Sequence, residues 1–346
     1  MQGQGIAAKE VAKLKSQSDL SDIKRQVLKD KNSEPGTRIV IGMGTCGVAA
    51  GAQEIWDAVM DEIDKRNLKN VNITKTGCIG LCAEEPLLEI RQGNTNVLYS
   101  NLDPEKAREI IVENVINGNI VTEWTIAEDN NFFEPQKRIV LKNCGIIDPE
   151  NIEEAIINDG YFGMAQALTE MAPEEVVEEI LESNLRGRGG AGFPTGLKWK
   201  FAHNNDNKPK YIICNADEGD PGAFMDRSVL EGDPHRLIEG MVIAGYAVGA
   251  DMGYIYCRAE YPLAIKRLTK ALKDARSLGL LGENILGTGF NFDLDIRLGA
   301  GAFVCGEETA LIASIEGERG EPQPKPPFPT DNGLWGQPTV INNVET

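Results

Sequence analysis

Residues 186–199, Arg-Gly-Arg-Gly-Gly-Ala-Gly-Phe-Pro-Thr-Gly-Leu-Lys-Trp, constrain this chain more than any other stretch. Glycine accepts positive φ at little steric cost, so successive backbone N–H groups can turn inward around an anion. Arg186 and Arg188 add planar, bidentate charge and Lys198 a point charge, a combination suited to phosphate. Gly187, Gly189 and Gly192 also satisfy the G-x-G-x-x-G dinucleotide spacing. Context argues against that reading, because the fingerprint follows a strand and here an acidic helical run, residues 173–183, comes first. A flexible linker would carry serine where this loop carries Arg, Phe, Pro and Trp. The working reading is a phosphate cradle.

The chain has 346 residues, enough for two domains, and is 41% hydrophobic. Its 35 basic and 53 acidic residues leave a net charge of −18. That balance argues against a general nucleic-acid or anionic-membrane surface and makes the local Arg/Lys cluster stand out. No apolar run reaches the length of a membrane span, and residues 1–31 do not form a secretory signal. Seven cysteines in a chain without a signal point to a reducing cytoplasm, where they serve as thiols or metal ligands.

In chain order, residues 8–30 carry apolar positions at helical spacing and form an exposed arm ending by residue 35. Residues 36–120 follow the order β-α-β-β-β-α, a compact α/β module of thioredoxin-like size. Its chemical feature is Cys78-x-x-x-Cys82, with Cys46 in a preceding glycine-rich loop. Thiolates on N–H-rich loops suit an iron–sulfur cluster. Unmetallated thiols, a zinc site wanting a fourth ligand and a redox pair compete with that reading. Residues 121–135 are polar and irregular, a linker to a second domain over 136–346. There, three helices lead into the cradle, and a strand from residue 210 runs straight into Asn215, Asp217 and Glu218. Ligands sit at the C-terminal ends of strands in open α/β sheets, so these residues are candidates for hydroxyls or a heteroaromatic edge. A second strand feeds a glycine-rich turn ending in Glu307 and Glu308, which either favour a helix N-terminus or bind ribose and amide groups. Lys325-Pro-Pro-Phe328 offers one cation and one aromatic face. His203 and His235 fall at element edges as structural residues, and no Ser-His or Cys-His pattern supports a hydrolase.

Residues 187–199, 215–226, 299–316, 325–328 and 342–346 together resemble, in order and spacing, one family. It is the FMN- and NADH-binding diaphorase subunit of respiratory complex I, NAD-dependent formate dehydrogenases and soluble [FeFe]-hydrogenases. The fold this implies is a thioredoxin-like ferredoxin domain followed by a Rossmann-like α/β domain. The resemblance assigns FMN to the cradle, with Arg188, Gly190, Ala191 and Lys198 in contact with it and Asn215, Asp217 and Glu218 at the ribityl chain and ring; Gly189, Gly192 and Asp220 count among the cofactor-binding residues. Gly306, Glu307, Asn342, Asn343 and Thr346 complete that site. NADH would stack on Phe193, Phe201 and Phe328, with Glu308 and Lys325 as polar anchors, and Phe303 counts among the cofactor-binding residues. Glu218 and Glu308 are assigned as catalytic, although hydride transfer to flavin needs stacking and electrostatic tuning more than a protein acid or base.

The N-terminal module resembles a thioredoxin-like [2Fe-2S] ferredoxin, which would make Cys46, Cys78 and Cys82 metal ligands. This fusion tilts the reading toward a soluble hydrogenase-type complex in the cytoplasm, with electron bifurcation among its options. The partners implied are a small [2Fe-2S] subunit, a catalytic iron–sulfur subunit, NADH and ferredoxin. A formate dehydrogenase diaphorase and a degenerate assembly module are the alternatives. Three departures stand out. Ile41 occupies the family's first cysteine position, leaving a cluster without its fourth ligand. Asp220 and Phe303 replace the Glu and Tyr common in complex I relatives. The family's ubiquitin-like domain and [4Fe-4S] cysteines lie beyond Thr346.

Overall fold

The computed structural model describes residues 13–33, 36–126 and 132–346. The arm helix expected over 8–30 is α1, Gln17–Ser33; residues 8–12 lie outside the described residues, as do 127–131 of the expected linker. The first module runs β1 Thr37–Gly42, α2 Thr45–Ala50, α3 Ala52–Arg66, β2 Val71–Thr76, β3 Leu88–Gln92, β4 Thr95–Tyr99 and α4 Pro104–Ile110. Its sheet has the order β2-β1-β3-β4, parallel between β1 and β2 and antiparallel elsewhere. The alternation of β1 and β3 turns Ile39, Ile41, Leu88 and Ile90 onto one face, where Ile55 and Val59 of α3 and Ile110 of α4 bury them. Each such residue, fully buried, contributes about 1.5–3 kcal/mol.

The second domain contains α5 Ile152–Ile157, α6 Phe162–Glu170, α7 Pro173–Glu182, α8 Thr195–His203, β5 Tyr211–Ala216, α9 Met225–Gly232 and α10 Pro234–Val248. It continues with β6 Met252–Arg258, α11 Pro262–Ser277, β7 Asp293–Gly299, α12 Glu308–Ile315 and β8 Thr339–Asn343. Every pairing in its sheet, ordered β7-β6-β5-β8, is parallel. Both faces are therefore covered, and the strands read as near-continuous apolar runs. Ile212, Cys214, Ile255 and Leu294 pack with α10 and α11 on one face; Ile213, Tyr254, Tyr256 and Ile341 pack with Leu311 and Ile312 of α12 on the other. The architecture is mixed α/β with a parallel sheet, as the sequence pattern requires.

The two modules meet through α9. A Cβ on Gly77, in the loop after β2, would stand 2.5 Å from the Gly232 Cα, so two backbones touch there and only glycine fits. Buried Glu231 accepts from the Thr45 N–H at 2.8 Å and from the Thr45 hydroxyl. Buried Glu154 of α5 takes Lys31 at 2.7 Å and Arg38 at 2.8 Å, tying α1 and β1 to the second domain. Charge pairs across this seam are partly desolvated, which makes each worth more than a surface pair and costly to break singly.

Candidate active site: the glycine cradle at the strand ends

Because the second sheet is parallel, its C-terminal strand ends share one edge. The chain steps outward from β5 to β6 to β7, whereas β8 lies on the opposite side of β5. The direction of winding reverses between β5 and β8, the place where open α/β sheets hold ligands. The cradle sits there. As the sequence context implied, it follows a helix, α7; it also opens another, α8.

The Gly187 N–H donates to the Phe193 carbonyl at 2.8 Å and the Thr195 N–H to the Leu185 carbonyl at 2.9 Å, closing the loop on itself. At its tip Gly190 (φ 103°) and Gly192 (φ 65°) occupy the left-handed region, and nothing lies within 4 Å of a Cβ built on either. The tip thus borders open space. The Arg188 N–H donates to the Thr346 hydroxyl at 2.9 Å, anchoring the loop to the segment after β8. Arg186 spends its guanidinium on the Gly192 carbonyl at 3.2 Å, while the side chain of Arg188 is exposed.

From α8, Lys198 donates to the Ile341 carbonyl at 2.9 Å and lies 3.9 Å from Glu308; burial holds its pKa below the usual lysine range. Trp199 donates to the Asn342 side-chain oxygen at 3.0 Å. From β5, Asn215 donates to the Gly306 carbonyl at 2.9 Å and its oxygen accepts from the Asp217 N–H at 3.0 Å. Asp217 keeps one buried carboxylate oxygen without a partner among the described residues, and burial raises its pKa. Asn343, opposite Asn215 in the ladder, donates to Asp226 at 2.7 Å.

Both sequence-assigned catalytic carboxylates are structurally engaged. Glu218 accepts from the Asp226 and Arg227 N–H groups at 3.1 Å each, and so caps α9 from outside the helix; Tyr261 donates to it at 3.2 Å. Glu308 pairs with Lys325 at 2.7 Å. Glu307 is the N-cap of α12, accepting from the Thr309 and Ala310 N–H groups at 2.8 and 3.0 Å and from Lys325 at 3.3 Å. Burial pushes the Glu307 pKa up, but the Thr309 and Ala310 hydrogen bonds and Lys325 outweigh it and leave the pKa below the usual range. Stability from this group is present above the ordinary carboxylate pKa of about 4.3 and fades as pH falls through the lower folded value. Glu307→Ala is expected to cost about 0.5–2 kcal/mol at neutral pH, by urea denaturation, with the difference shrinking in acid.

Four phenylalanine rings assigned to cofactor binding by the sequence are exposed: Phe193 at 43%, Phe201 at 48%, Phe328 at 54% and Phe303 at 70%. Phe303 covers Gly219, whose added Cβ would stand 2.8 Å from the ring. Asp220 is exposed on the turn leading to α9. The histidines are structural: buried His235, its pKa lowered by burial to about 3, meets the Tyr161 hydroxyl at 2.7 Å, and His203 meets the Ala247 carbonyl at 2.8 Å.

In the first module the Sγ atoms of Cys46, Cys78 and Cys82 all lie within 4.8 Å of one another. Cys78 and Cys82 approach to 3.5 Å, the Gly80 N–H donates to Cys78 at 3.3 Å, and Arg227 of α9 reaches Cys46 at 3.6 Å. Burial raises all three thiol pKa values. Ile41 is fully buried in β1, and no histidine or carboxylate joins the three thiols among the described residues. A [2Fe-2S] cluster takes four protein ligands, two on each iron. This donor set supplies three.

The fold and crevice define a doubly covered parallel α/β domain whose glycine loop and basic residues surround the switch point. Residues 180–346 match the family described as the Nuo51 FMN-binding domain. The chain is 64% identical over 211 residues to the NADP-reducing hydrogenase subunit HndC of Solidesulfovibrio fructosivorans, covering 61% of this chain and 43% of that one. It is 52% identical over 214 residues to an NADH-quinone oxidoreductase subunit of Rhizobium meliloti (strain 1021), covering 62% and 50%. The crystal structure of an NAD+-reducing [NiFe]-hydrogenase in the H2-reduced state superposes with a TM-score of 0.51 at 30% identity, covering 90% of this chain and 51% of the other. The chain spans about half the length of the curated relatives it matches. No helix among the described residues is long and apolar enough to cross a membrane.

Proposed function

We propose that this chain is the FMN- and NADH-binding portion of an NADH:acceptor oxidoreductase subunit, working in a cytoplasmic, hydrogenase-type complex. The observation that carries this reading is the Arg188–Thr346 hydrogen bond, which holds the glycine loop against the switch point between β5 and β8. Three features fit FMN. The loop tip borders open space, the Arg188 guanidinium is exposed, and Asp217, just past the end of β5, keeps an unpartnered buried carboxylate oxygen.

The backbone of Gly189, Gly190, Ala191 and Gly192 with Arg188 and Lys198 would hold the phosphate. Asn215, Asp217, Gly306, Asn342 and Asn343 present amide and carboxylate groups for the ribityl chain and ring edge. When bound, FMN accepts a hydride equivalent from NADH and passes electrons on singly. The protein's own work is positioning. Phe193, Phe201, Phe303 and Phe328 offer faces for NADH and exclude water, and the Glu308–Lys325 pair anchors its polar groups. Glu218 acts by fixing the α9 N-terminus and the Asp226–Asn343 bond beneath the ring site, a positioning role. The sheet order β2-β1-β3-β4, with α3 and α4 on one face, supports a thioredoxin-like first module that docks the domain among iron–sulfur partner subunits.

Arg188→Ala tests the cradle cleanly, because the fold of the described residues makes no use of that guanidinium. FMN affinity, read by quenching of flavin fluorescence, is expected to fall about 10–100-fold, the loss of a charged hydrogen bond worth about 1.5–3 kcal/mol. Urea stability should not change. Unaltered affinity would place the phosphate elsewhere.

A further inference from the structure

We propose that Cys46, Cys78 and Cys82 form a site for a single thiophilic divalent cation of the zinc class, with its fourth coordination position open to solvent. The first support is the donor count: three thiolates cannot complete a two-iron cluster, and nothing among the described residues replaces the fourth. The second is spacing. A tetrahedral ion with metal–sulfur bonds of about 2.3 Å sets its thiolates about 3.8 Å apart. Here Cys78 and Cys82 stand at 3.5 Å and no pair of the three exceeds 4.8 Å, the corners of one tetrahedron. In a two-iron cluster the third thiolate belongs to the second iron and stands off by a further metal–metal separation.

The surroundings agree. Three thiolates on a divalent ion leave one negative charge, and the Arg227 guanidinium, 3.6 Å from Cys46, is placed to compensate it. Cys78 is buried, Cys46 half-buried and Cys82 exposed, so the open position lies on the Cys82 side, where water or a small anion completes the shell. The two loops already touch: a Cβ on Gly44 would stand 3.0 Å from the Cys78 Cβ. Both also meet α9, through the Thr45–Glu231 bond and the Gly77–Gly232 backbone contact. An ion there pins the seam between the modules. Binding exchanges three S–H bonds for three metal–sulfur bonds and releases three protons per ion, with no change in oxidation state.

The test is metal analysis of the full 346-residue chain, purified anaerobically and exposed separately to zinc and to ferrous iron with sulfide. The proposal expects one zinc per chain, lost in Cys46→Ser, Cys78→Ser and Cys82→Ser and kept in Cys305→Ser. Because a serine variant can misfold, cobalt added to the unaltered chain gives a second reading. It should show the visible absorption of tetrahedral cobalt, with thiolate charge-transfer intensity for three sulfurs and three protons released. Incorporation of two irons and two sulfides per chain, with a reduced-state EPR signal, would overturn the proposal. So would a chain that binds neither metal.

Discussion

Replacing Arg267 by methionine is expected to lower the free energy of unfolding by about 3–5 kcal/mol, the cost of breaking a buried charge network from one side. Arg267 is 1% exposed in the body of α11. It donates to the Glu231 carbonyl at 2.6 Å and the Met43 carbonyl at 2.8 Å, one in each module, and lies 3.6 Å from Glu150. Methionine keeps the apolar stem but leaves two buried carbonyl oxygens unsatisfied, each costing about 1–3 kcal/mol. Glu150 retains Lys75 at 2.7 Å, which limits the damage on the carboxylate side. The readout is the urea midpoint, which should fall with little change in slope. A loss of only about 0–1 kcal/mol, the range of a surface pair, would mean that water reaches the seam.

A pH effect of similar size is expected at Asp226. Its carboxyl is 6% exposed, and burial first, then the Glu218 and Glu345 charges, raise its pKa to about 7 against the Asn343 hydrogen bond. The unfolded value is about 3.9. The folded state therefore binds the proton more tightly, so stability falls as pH rises from about 4 to about 7 and the loss is complete above that window. Three pKa units correspond to an upper bound of about 4 kcal/mol. Asp226→Asn keeps an oxygen for Asn343 and removes the charge. It should match the wild type near pH 4 and exceed it in urea stability by up to about 4 kcal/mol at pH 8. Parallel curves across that range would show Asp226 to be solvated.

These residues also mark where the sequence stopped being readable. Apart from β8, the strands of both sheets follow from their apolar runs, and the cradle from its composition, since both signals are local. Helix α9 was not expected, for a physical reason: its cap is Glu218, which reaches it across the Pro221-Gly222 turn instead of from an adjacent Ser or Asp. A short helix held by a remote cap has no contiguous signature. With α9 went Asp226, Arg227 and Glu231, the residues that join the crevice to the cysteine loops. Helix α8 was hidden because the glycine pattern continues to Gly196, whose missing side chain serves close packing on Leu181. Strand β8 was missed because its partner in the ladder, β5, lies more than a hundred residues upstream. The carboxylates tell a complementary story. Spacing put Glu218 and Glu307 near the ligand edge and left a helix N-terminus open for Glu307; the folded chain shows each engaged at a helix terminus.

The measurement that tests the central claim most directly is an anaerobic titration of the FMN-loaded chain with NADH, followed by flavin absorbance. The account predicts that the flavin is bleached in proportion to NADH added, up to one equivalent, the outcome required if both molecules stack at the strand ends of β5 and β8 as proposed. A chain that retains FMN yet stays oxidised in excess NADH would contradict it.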